Sequence, residues 1–532
     1  MANSAKQTDR PLLLPDVGDI IFLLILQLLL FSLPNFVFTD GSTGWHIVTG
    51  RYIVEKLTIP VTDIFSYTFP NAPWVSYEWL ADMIMYLPVQ IADLNGLAVA
   101  VSSAIALLFL LLYKRCRRTG CHFVVAVILT MFGALASSVS WLARPHIFTF
   151  FAVFAFAGLL ESHRRGNTSG ARLTALLAAI VALWANLHPA FLVGFAMIGI
   201  YLLSDLACLA VLVQSDDANN RKRRIRWLGL ALVAGFAATI INPYGPRLWS
   251  YILQYLKGVR VLAHTDEYSS PIFHGAIQST ALEVVLCMFV LGLVVSRRRP
   301  SLPQLSISLL FAGMALASVR HIPLFVIVTL PVIAELFANA SLLSAREQGQ
   351  MEPAQWWQKL QASWNEMGET VDEMESLCRL HLLPIGAVLI LAIAGINGGK
   401  LLGIPLLESG FDPERFPTRT LECIREHHLK PETGFNMDNW GGYISYKLGI
   451  PVFIDDRADF YGESFYLDYG TVSTVSPGWR DVLDKYKIEW VLFPANSRLA
   501  SSLSEEPDWK LLCEDKASLL LVRAAEHSLP GI

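Results

Sequence analysis

Eleven predominantly apolar runs, each 14 to 24 residues long, constrain this chain more than any other feature of its sequence: residues 17–38, 97–113, 123–142, 147–160, 173–187, 190–213, 227–241, 280–296, 302–318, 322–338 and 382–396. A helix needs roughly 20 apolar residues to cross a bilayer core, so runs of this kind predict membrane helices whose shorter members borrow flanking polar residues. Charged residues make up only 16% of the 532, against about 25% in soluble domains. With 41 Lys plus Arg facing 45 Asp plus Glu, there is no basic excess to support general nucleic-acid binding. The seven cysteines form no CxxC pair, which argues against a zinc ribbon, an iron–sulfur site and a disulfide scaffold alike.

Loop charge gives an orientation. Alternate loops carry Lys114, Arg115, Arg117 and Arg118; Arg164, Arg165 and Arg172; Arg221 to Arg224 with Arg226; and Arg297 to Arg299. Together with Lys6, Arg10, Arg346, Lys359 and Arg379, that side holds 20 basic residues, against seven in the opposite loops before Leu382. Lys and Arg accumulate on the cytoplasmic side, so the N-terminus is expected inside, and an odd number of spans puts residues 399–532 outside. The first run has no small-residue cleavage site after it and reads as a retained anchor.

Three stretches are not expected to span. Residues 39–96 form a long outer loop with two amphipathic pieces, Trp45 to Leu57 and Trp79 to Leu94, predicted to lie along the outer interface. Residues 342–381, with Trp356, Trp357 and Trp364, read the same way on the inner face. After residue 399 charges become frequent, and short β-type runs such as Ile450 to Ile454 and Trp490 to Pro494 alternate with helical ones. The chain is therefore expected to be an α-helical polytopic membrane domain, residues 1–398, followed by a small exported α/β domain, residues 399–532. Cys423 and Cys513 are the only cysteines of that tail, and the sequence leaves their pairing open.

The polar residues at the helix ends are one-sided. Asp40 and His46 follow run one, Glu78 precedes run two, and Arg144 and His146 occupy the turn between runs three and four. Asn186 and His188 end run five, Asn242 follows run seven, Glu267 lies in the next outer loop, and Arg320 with His321 separates runs nine and ten. All fall on the outer face. Acids, imidazoles and guanidiniums gathered at one membrane surface are costly to desolvate unless they pair, bind a metal or meet an anionic ligand, so a functional site is the default reading. For any residue taken singly, helix capping or snorkelling is the simpler account, and for Asn186 and Asn242 it is preferred.

The stretch Asp40-Gly-Ser-Thr-Gly-Trp-His46, with Thr49-Gly50, Ile59-Pro60, Asp63-Ile-Phe-Ser-Tyr67, Trp74-Val-Ser-Tyr-Glu-Trp-Leu80, Arg144-Pro145, Leu183-Trp-Ala-Asn-Leu-His188, Asn242-Pro-Tyr-Gly245 and Arg320-His-Ile-Pro323, resembles a group of bacterial polytopic proteins similar to the GT-C superfamily of lipid-phosphate-sugar-dependent glycosyltransferases. The resemblance implies a location in the bacterial cell (inner) membrane and a tail in the periplasm or outside the cell. It also implies inverting transfer of a hexosyl or pentosyl group from a polyprenyl-phosphate-linked donor to a glycan, lipid or protein acceptor. In such enzymes an acid just after the first helix is the catalytic base, and Asp40 holds that place; the common version has two adjacent acids, whereas here Gly41 follows. Trp440-Gly-Gly-Tyr443, with Asp455, Arg457 and Tyr461, is similar to the exported domain of oligosaccharyltransferase-type members, which implies acceptor contacts. A glycine-rich turn feeding a strand is the plain alternative.

A direct displacement needs a base for the acceptor hydroxyl and cations for the departing phosphate. Asp40 is the expected base, with Glu78 next. Arg144, Arg320 and His321 are the phosphate candidates, because guanidinium binds two oxygens at once. His46, Glu78, His188 and Glu267 are the set that would complete a divalent magnesium or manganese site, although no HExxH-type spacing supports one. Otherwise they are structural or contact substrate. No Walker loop and no GxGxxG after a strand marks a nucleotide-sugar site. Two rival classes stand beside the enzyme: a transporter for a lipid-linked or soluble anion, supported by Asp205 and Glu335 within apolar runs, and a non-catalytic envelope assembly factor.

Overall fold

A computed structural model of the chain describes residues 15–211, 218–257, 266–340, 355–377 and 380–524. All eleven apolar runs are helical. Helix α1 (Val17–Gln27) opens on a capping box, in which Asp16 accepts from the Asp19 N–H and Asp19 from the Asp16 N–H, and it continues through a π-turn at Leu28–Ser32. The bundle is completed by α3 (Trp79–Arg117), α4 (Phe123–Ser137), α5 (His146–Arg164), α6 (Gly170–Leu187), α7 (Leu192–Val211), α8 (Ala218–Ala238), α10 (Ile277–Val295), α11 (Leu302–Ala317), α12 (Ile322–Ala338) and α14 (Leu382–Ile396). Helices α2 (Ser42–Lys56), α9 (Arg247–Lys257) and α13 (Gln355–Leu377) lie outside the apolar runs. Among the described residues, seven helical stretches are by themselves long and apolar enough to cross a membrane. Val17–Ser32 and Leu302–Ala317 are shorter, and Lys359–Leu377 with Leu382–Ile396 forms a pair bent by 59°. At the centre, α12 is buried along nearly its whole length.

One of two expectations for the first outer loop is corrected. Helix α2 does not float at headgroup level: Ser42, Thr43, Trp45, His46, Ile47, Thr49 and Gly50 are all buried. Its uneven mixture of small, polar and aromatic residues serves burial between protein neighbours. Within α3 the second amphipathic piece, 79–94, is a helix of its own up to residue 91, set off from the spanning helix by a kink of non-helical backbone at Ala92 and Asp93, where Asp93 takes φ +48°. Tyr446 donates to Asp93 Oδ1 across 3.0 Å, which ties that break to the tail.

On the opposite face, Trp364 of α13 stacks on His122 at 3.8 Å, Trp356 is exposed, and Arg117 pairs with Asp372 and Glu375. Lys6, Arg10, Arg346 and Arg379, counted above toward the inner face, lie outside the described residues, as do residues 342–354 of the inner segment. The two acids of the transporter reading are paired at this same end. Asp205 meets Arg221 and Arg224, and Glu335 meets Arg165 and Gln304.

The tail carries a four-stranded sheet, β3 (Gly434–Asn436), β4 (Trp490–Pro494), β6 (Ser518–Arg523) and β5 (Trp509–Glu514) in that spatial order, after a short hairpin of β1 (Lys400–Leu401) and β2 (Ile404–Pro405). Strand β3 runs parallel to β4, and the other pairs are antiparallel. Cys423 in α15 (Arg419–Glu426) and Cys513 in β5 are joined by a disulfide, which resolves the pairing left open above. The first outer loop is woven into this domain. Val452 donates to Phe65 O at 2.9 Å, Tyr67 donates to Val452 O at 3.0 Å, and Tyr67 Oη donates to Gly434 O at 2.9 Å.

Helix α16 (Asp438–Leu448) packs directly on α2. A Cβ on Gly41 would fall on Asn439 O, one on Gly44 would lie 2.2 Å from Gly442 O, and one on Gly441 would lie 2.2 Å from Ile454 O. The Gly-Gly pair in Trp440-Gly-Gly-Tyr443 is thus required by close backbone approach, on one side to α2 and on the other to the 454–456 segment.

Candidate active site

The turn after α4 is held by two bonds, Ala143 N–H to Val37 O at 2.8 Å and Thr43 Oγ1 to Ala143 O at 3.0 Å. It aims Arg144 at the start of α2, where Arg144 Nη1 lies 2.7 Å from Asp40 Oδ2. The same nitrogen pairs with Glu267, which sits on the single 3₁₀ turn Asp266–Tyr268. Glu267 Oε2 is 3.6 Å from Arg320 Nη1, and Arg320 also donates to Tyr268 Oη at 2.6 Å. Ser318 Oγ donates to Glu267 O at 2.8 Å, fixing that turn against the end of α11. Four residues from four distant stretches therefore form one alternating row, Asp40, Arg144, Glu267, Arg320. Burial alone would raise the Glu267 carboxyl, but Arg144 and Arg320 hold it down at about 2. Burial likewise opposes the Arg144 charge, and Glu267 and Asp40 overcome it.

Asp40 has two engagements. Oδ1 accepts from the Ser42 N–H at 2.8 Å and from Ser42 Oγ at 2.5 Å, which caps the first turn of α2, while Oδ2 faces Arg144. Capping and site membership thus coexist in one side chain. Asp456, a residue that sequence reasoning missed, lies close by: it accepts from Trp45 Nε1 at 2.9 Å, and its carboxyl is pushed well up by burial and then by the Asp40 charge. The acidic run at 455–456 was legible in the sequence, but nothing local shows which of its acids reaches the membrane domain.

The remaining members form a neutral layer beside the row. His46 Nδ1 is 2.6 Å from Asp82 Oδ1, and burial followed by the Arg144 charge holds its ring well below the usual histidine range. His188 Nδ1 accepts from the Ala190 N–H at 3.2 Å, leaving Nε2 to face Glu78 Oε1 at 3.5 Å. Burial and then Arg320 hold its ring low as well. Burial pushes the Glu78 carboxyl up to about 8, so at neutral pH it carries its proton. His146 bonds Ser140 O at 2.6 Å, and His321 meets the backbone of Met314 instead of joining the row.

The tail residues read as acceptor contacts are placed differently. Trp440 is buried and donates to Arg415 O at 3.0 Å, and Tyr443 is buried between Phe411 and Phe416. Arg457 is sandwiched among Phe65, Trp74 and Phe460, 4.6 to 4.8 Å from their ring centres, and pairs with Asp455 and, across the domain junction, with Asp63 at 2.7 Å. Arg457, braced by Asp455, ties the tail to the first loop, while Trp440 and Tyr443 pack within the tail. The two asparagines act structurally, as expected. Asn242 Oδ1 accepts from the Tyr244 N–H at 2.7 Å, and Asn186 bonds Ile241 O and Trp79 Nε1.

His46, Glu78, His188 and Glu267 do not converge as one metal-ligand set: Glu78 and His188 face each other, while His46 is held by Asp82 and Glu267 by Arg144. Among the described residues, one acid and histidine group comes within metal-binding distance, Asp16, Asp19 and His381 at the far end of the bundle, where Lys114 pairs with Asp16 and His381 with Asp19.

No family model and no curated protein sequence matches the chain. Solved structures do. An oligosaccharyltransferase from Archaeoglobus fulgidus in the apo form superposes with a TM-score of 0.53 at 14% identity, over 90% of this chain and 69% of that one. ArnT from Cupriavidus metallidurans in the apo state gives 0.50 at 12% identity, over 94% of this chain and 97% of that one. The same ArnT bound to undecaprenyl phosphate gives 0.48 at 14% identity, over 96% and 99%. The helical bundle and small C-terminal α/β domain of this chain share their fold with the solved oligosaccharyltransferase and with apo ArnT.

Proposed function

We propose that this protein is a membrane glycosyltransferase that moves a sugar from a polyprenyl-phosphate donor to an acceptor hydroxyl on the outer face of the membrane. The observation that carries the reading is the row Asp40, Arg144, Glu267, Arg320 at the helix ends beneath the tail. Asp40 takes the proton of the acceptor hydroxyl, the acceptor oxygen bonds to the anomeric carbon with inversion, and the bond from that carbon to the phosphate oxygen breaks. Polyprenyl phosphate leaves with the electron pair, and Arg144 and Arg320 supply the positive charge that stabilises it. Glu78, protonated, suits hydrogen-bond donation better than the role of base. His46 and His188, held neutral, fit contacts to uncharged groups.

The basic loops opposite this face and the tail disulfide both support a cytoplasmic N-terminus and a tail, residues 399–532, in an oxidising exterior compartment. The fold shared with an oligosaccharyltransferase supports the reaction class. A transporter reading loses its motive, since Asp205 and Glu335 are neutralised by arginines at the opposite end. No observation favours an assembly role.

The test is Asp40→Asn, which keeps shape and capping but accepts no proton. Turnover, followed as loss of lipid-linked sugar by mass spectrometry, is expected to fall about 10²- to 10⁴-fold with expression unchanged. A variant that turns over at the wild-type rate would move the base elsewhere.

A further inference from the structure

Where the first outer loop meets the tail there is a small cleft, of ≈ 10 Å³, lined by Trp45, Trp74, Ser76, Asp82, Arg457 and Asp459. Three polar atoms of these lining residues, Ser76 Oγ, Asp82 Oδ2 and Arg457 Nη1, are shielded from solvent and have no hydrogen-bond partner among the described residues. Their residues are 3%, 0% and 4% exposed. Buried polar groups are almost always satisfied, and three orphans on one cleft, drawn from two domains, call for a guest.

The rest of each donor set is already committed. Asp82 Oδ1 is held by His46, Arg457 Nη2 by Asp63 and Asp455, and Arg457 Nε by Asp455. The guest must therefore accept from Arg457 Nη1 and share a hydrogen with Asp82 Oδ2 and with Ser76 Oγ, either of which can give or take it. A neutral hydroxyl does all three, having one hydrogen and two lone pairs. An ammonium has no lone pair to offer Arg457 and meets its charge. A phosphate or carboxylate brings more oxygens than a cleft of ≈ 10 Å³ admits. The volume admits a single hydroxyl and not a whole ring, with the indoles of Trp45 and Trp74 as apolar walls. Trp45 also bonds Asp456 beside Asp40, so the cleft adjoins the reacting centre.

We propose that this cleft is a hydroxyl-recognition subsite that takes one hydroxyl of the sugar handled at the Asp40 row and thereby selects which sugars are processed. The inference rests on the glycosyltransferase reading. Water, with one more hydrogen than a sugar hydroxyl, can also bond these groups, and the experiment separates the two.

The full chain in lipid nanodiscs is titrated with methyl hexopyranosides and their monodeoxy analogues, with binding followed by saturation-transfer NMR. One parent glycoside is expected to bind, and one of its monodeoxy analogues to bind at least about tenfold more weakly, because a missing hydroxyl leaves the three groups unpaired. Ser76→Ala should erase most of that discrimination, and Ser76→Thr, which fills the cleft with a methyl group, should abolish binding; thermal melts verify that both variants fold. Should either variant fail to fold, Ser76→Cys, with its weaker donor, must show reduced discrimination. Equal binding of all monodeoxy analogues, discrimination that survives Ser76→Ala, or no glycoside binding at all would each reduce the cleft to a bound-water site. The underlying reading fails by a different sign: lipid-linked sugar pools that do not change when the protein is removed, whatever the glycoside result.

Discussion

Adding one methyl group at Gly44 should disable the proposed sugar transfer without unfolding the protein. A Cβ there would lie 2.2 Å from the carbonyl oxygen of Gly442 and 2.5 Å from its carbonyl carbon. Ordinary contact between heavy atoms starts near about 3.5 Å, so α2 and α16 must separate by roughly 1 Å. Both obstructing atoms belong to the backbone, and no rotamer change can relieve them. Helix α2 carries the Asp40 cap at its start and Trp45 with its bond to Asp456, so the separation is passed straight to the row. A misplacement of about 1 Å costs on the order of 10²-fold in rate, while overpacking of this kind costs about 1–3 kcal/mol of stability. Gly44→Ala is therefore expected to lose about 10²-fold in turnover with a melting temperature lowered by only a few degrees. Gly313→Ala, whose added methyl meets nothing within 4 Å, is the control. Turnover of Gly44→Ala indistinguishable from that control would refute the claim that glycine-mediated docking of the tail positions the site.

Three further outcomes follow from the same coordinates. Arg320→Lys keeps the charge but loses the planar fork that reaches Glu267 and Tyr268, and should lower kcat/KM by about tenfold or more; a rate equal to wild type would take Arg320 out of phosphate binding. The Glu78 carboxyl is raised to about 8 in the fold, so it stays protonated while the unfolded chain ionises. Its stabilising contribution is complete below the ordinary carboxylate range and is lost as pH climbs to about 8; melting temperatures measured from pH 5 to 8 should fall less steeply for Glu78→Gln than for wild type. Replacing both Cys423 and Cys513 by Ala removes a cross-link over 90 residues and should destabilise the tail by about 2–4 kcal/mol. Alkylation mass spectrometry that finds both thiols free in the native protein would contradict the bond itself.

The sequence made the membrane helices legible because an apolar run carries its own instruction: a helix that satisfies its backbone internally needs no distant partner. The sidedness of Asp40, Arg144, Glu267 and Arg320 was legible for a related reason, since helix order and loop charge assign each turn to a face. What stayed hidden depends on contacts between segments hundreds of residues apart. Nothing near Trp45 indicates that it will be covered by the tail, so its amphipathic surroundings read as a membrane surface. Trp440 and Tyr443 looked like ligand contacts because aromatic residues beside glycines suit both binding and close packing, and only the distance from Gly441 to Ile454 decides between them. Asp456 escaped notice because its meaning depends on Trp45 and Asp40, neither of which is its neighbour in the chain.

The junction between Asp63 and Arg457 also sets a timetable. These partners are 394 residues apart, and the loop backbone at Phe65 and Tyr67 waits for Val452 in the same way. At synthesis rates of about 5–20 residues per second, the first outer loop must remain unfinished for roughly 20–80 s after it emerges. During that interval Asp63, Phe65 and Trp74 lack the guanidinium around which they close, and Asp40 lacks the helix that presses α2 into place. The proposed site is therefore assembled only after Val452, Asp456 and Arg457 have been made and folded, so a product truncated before them lacks these braces.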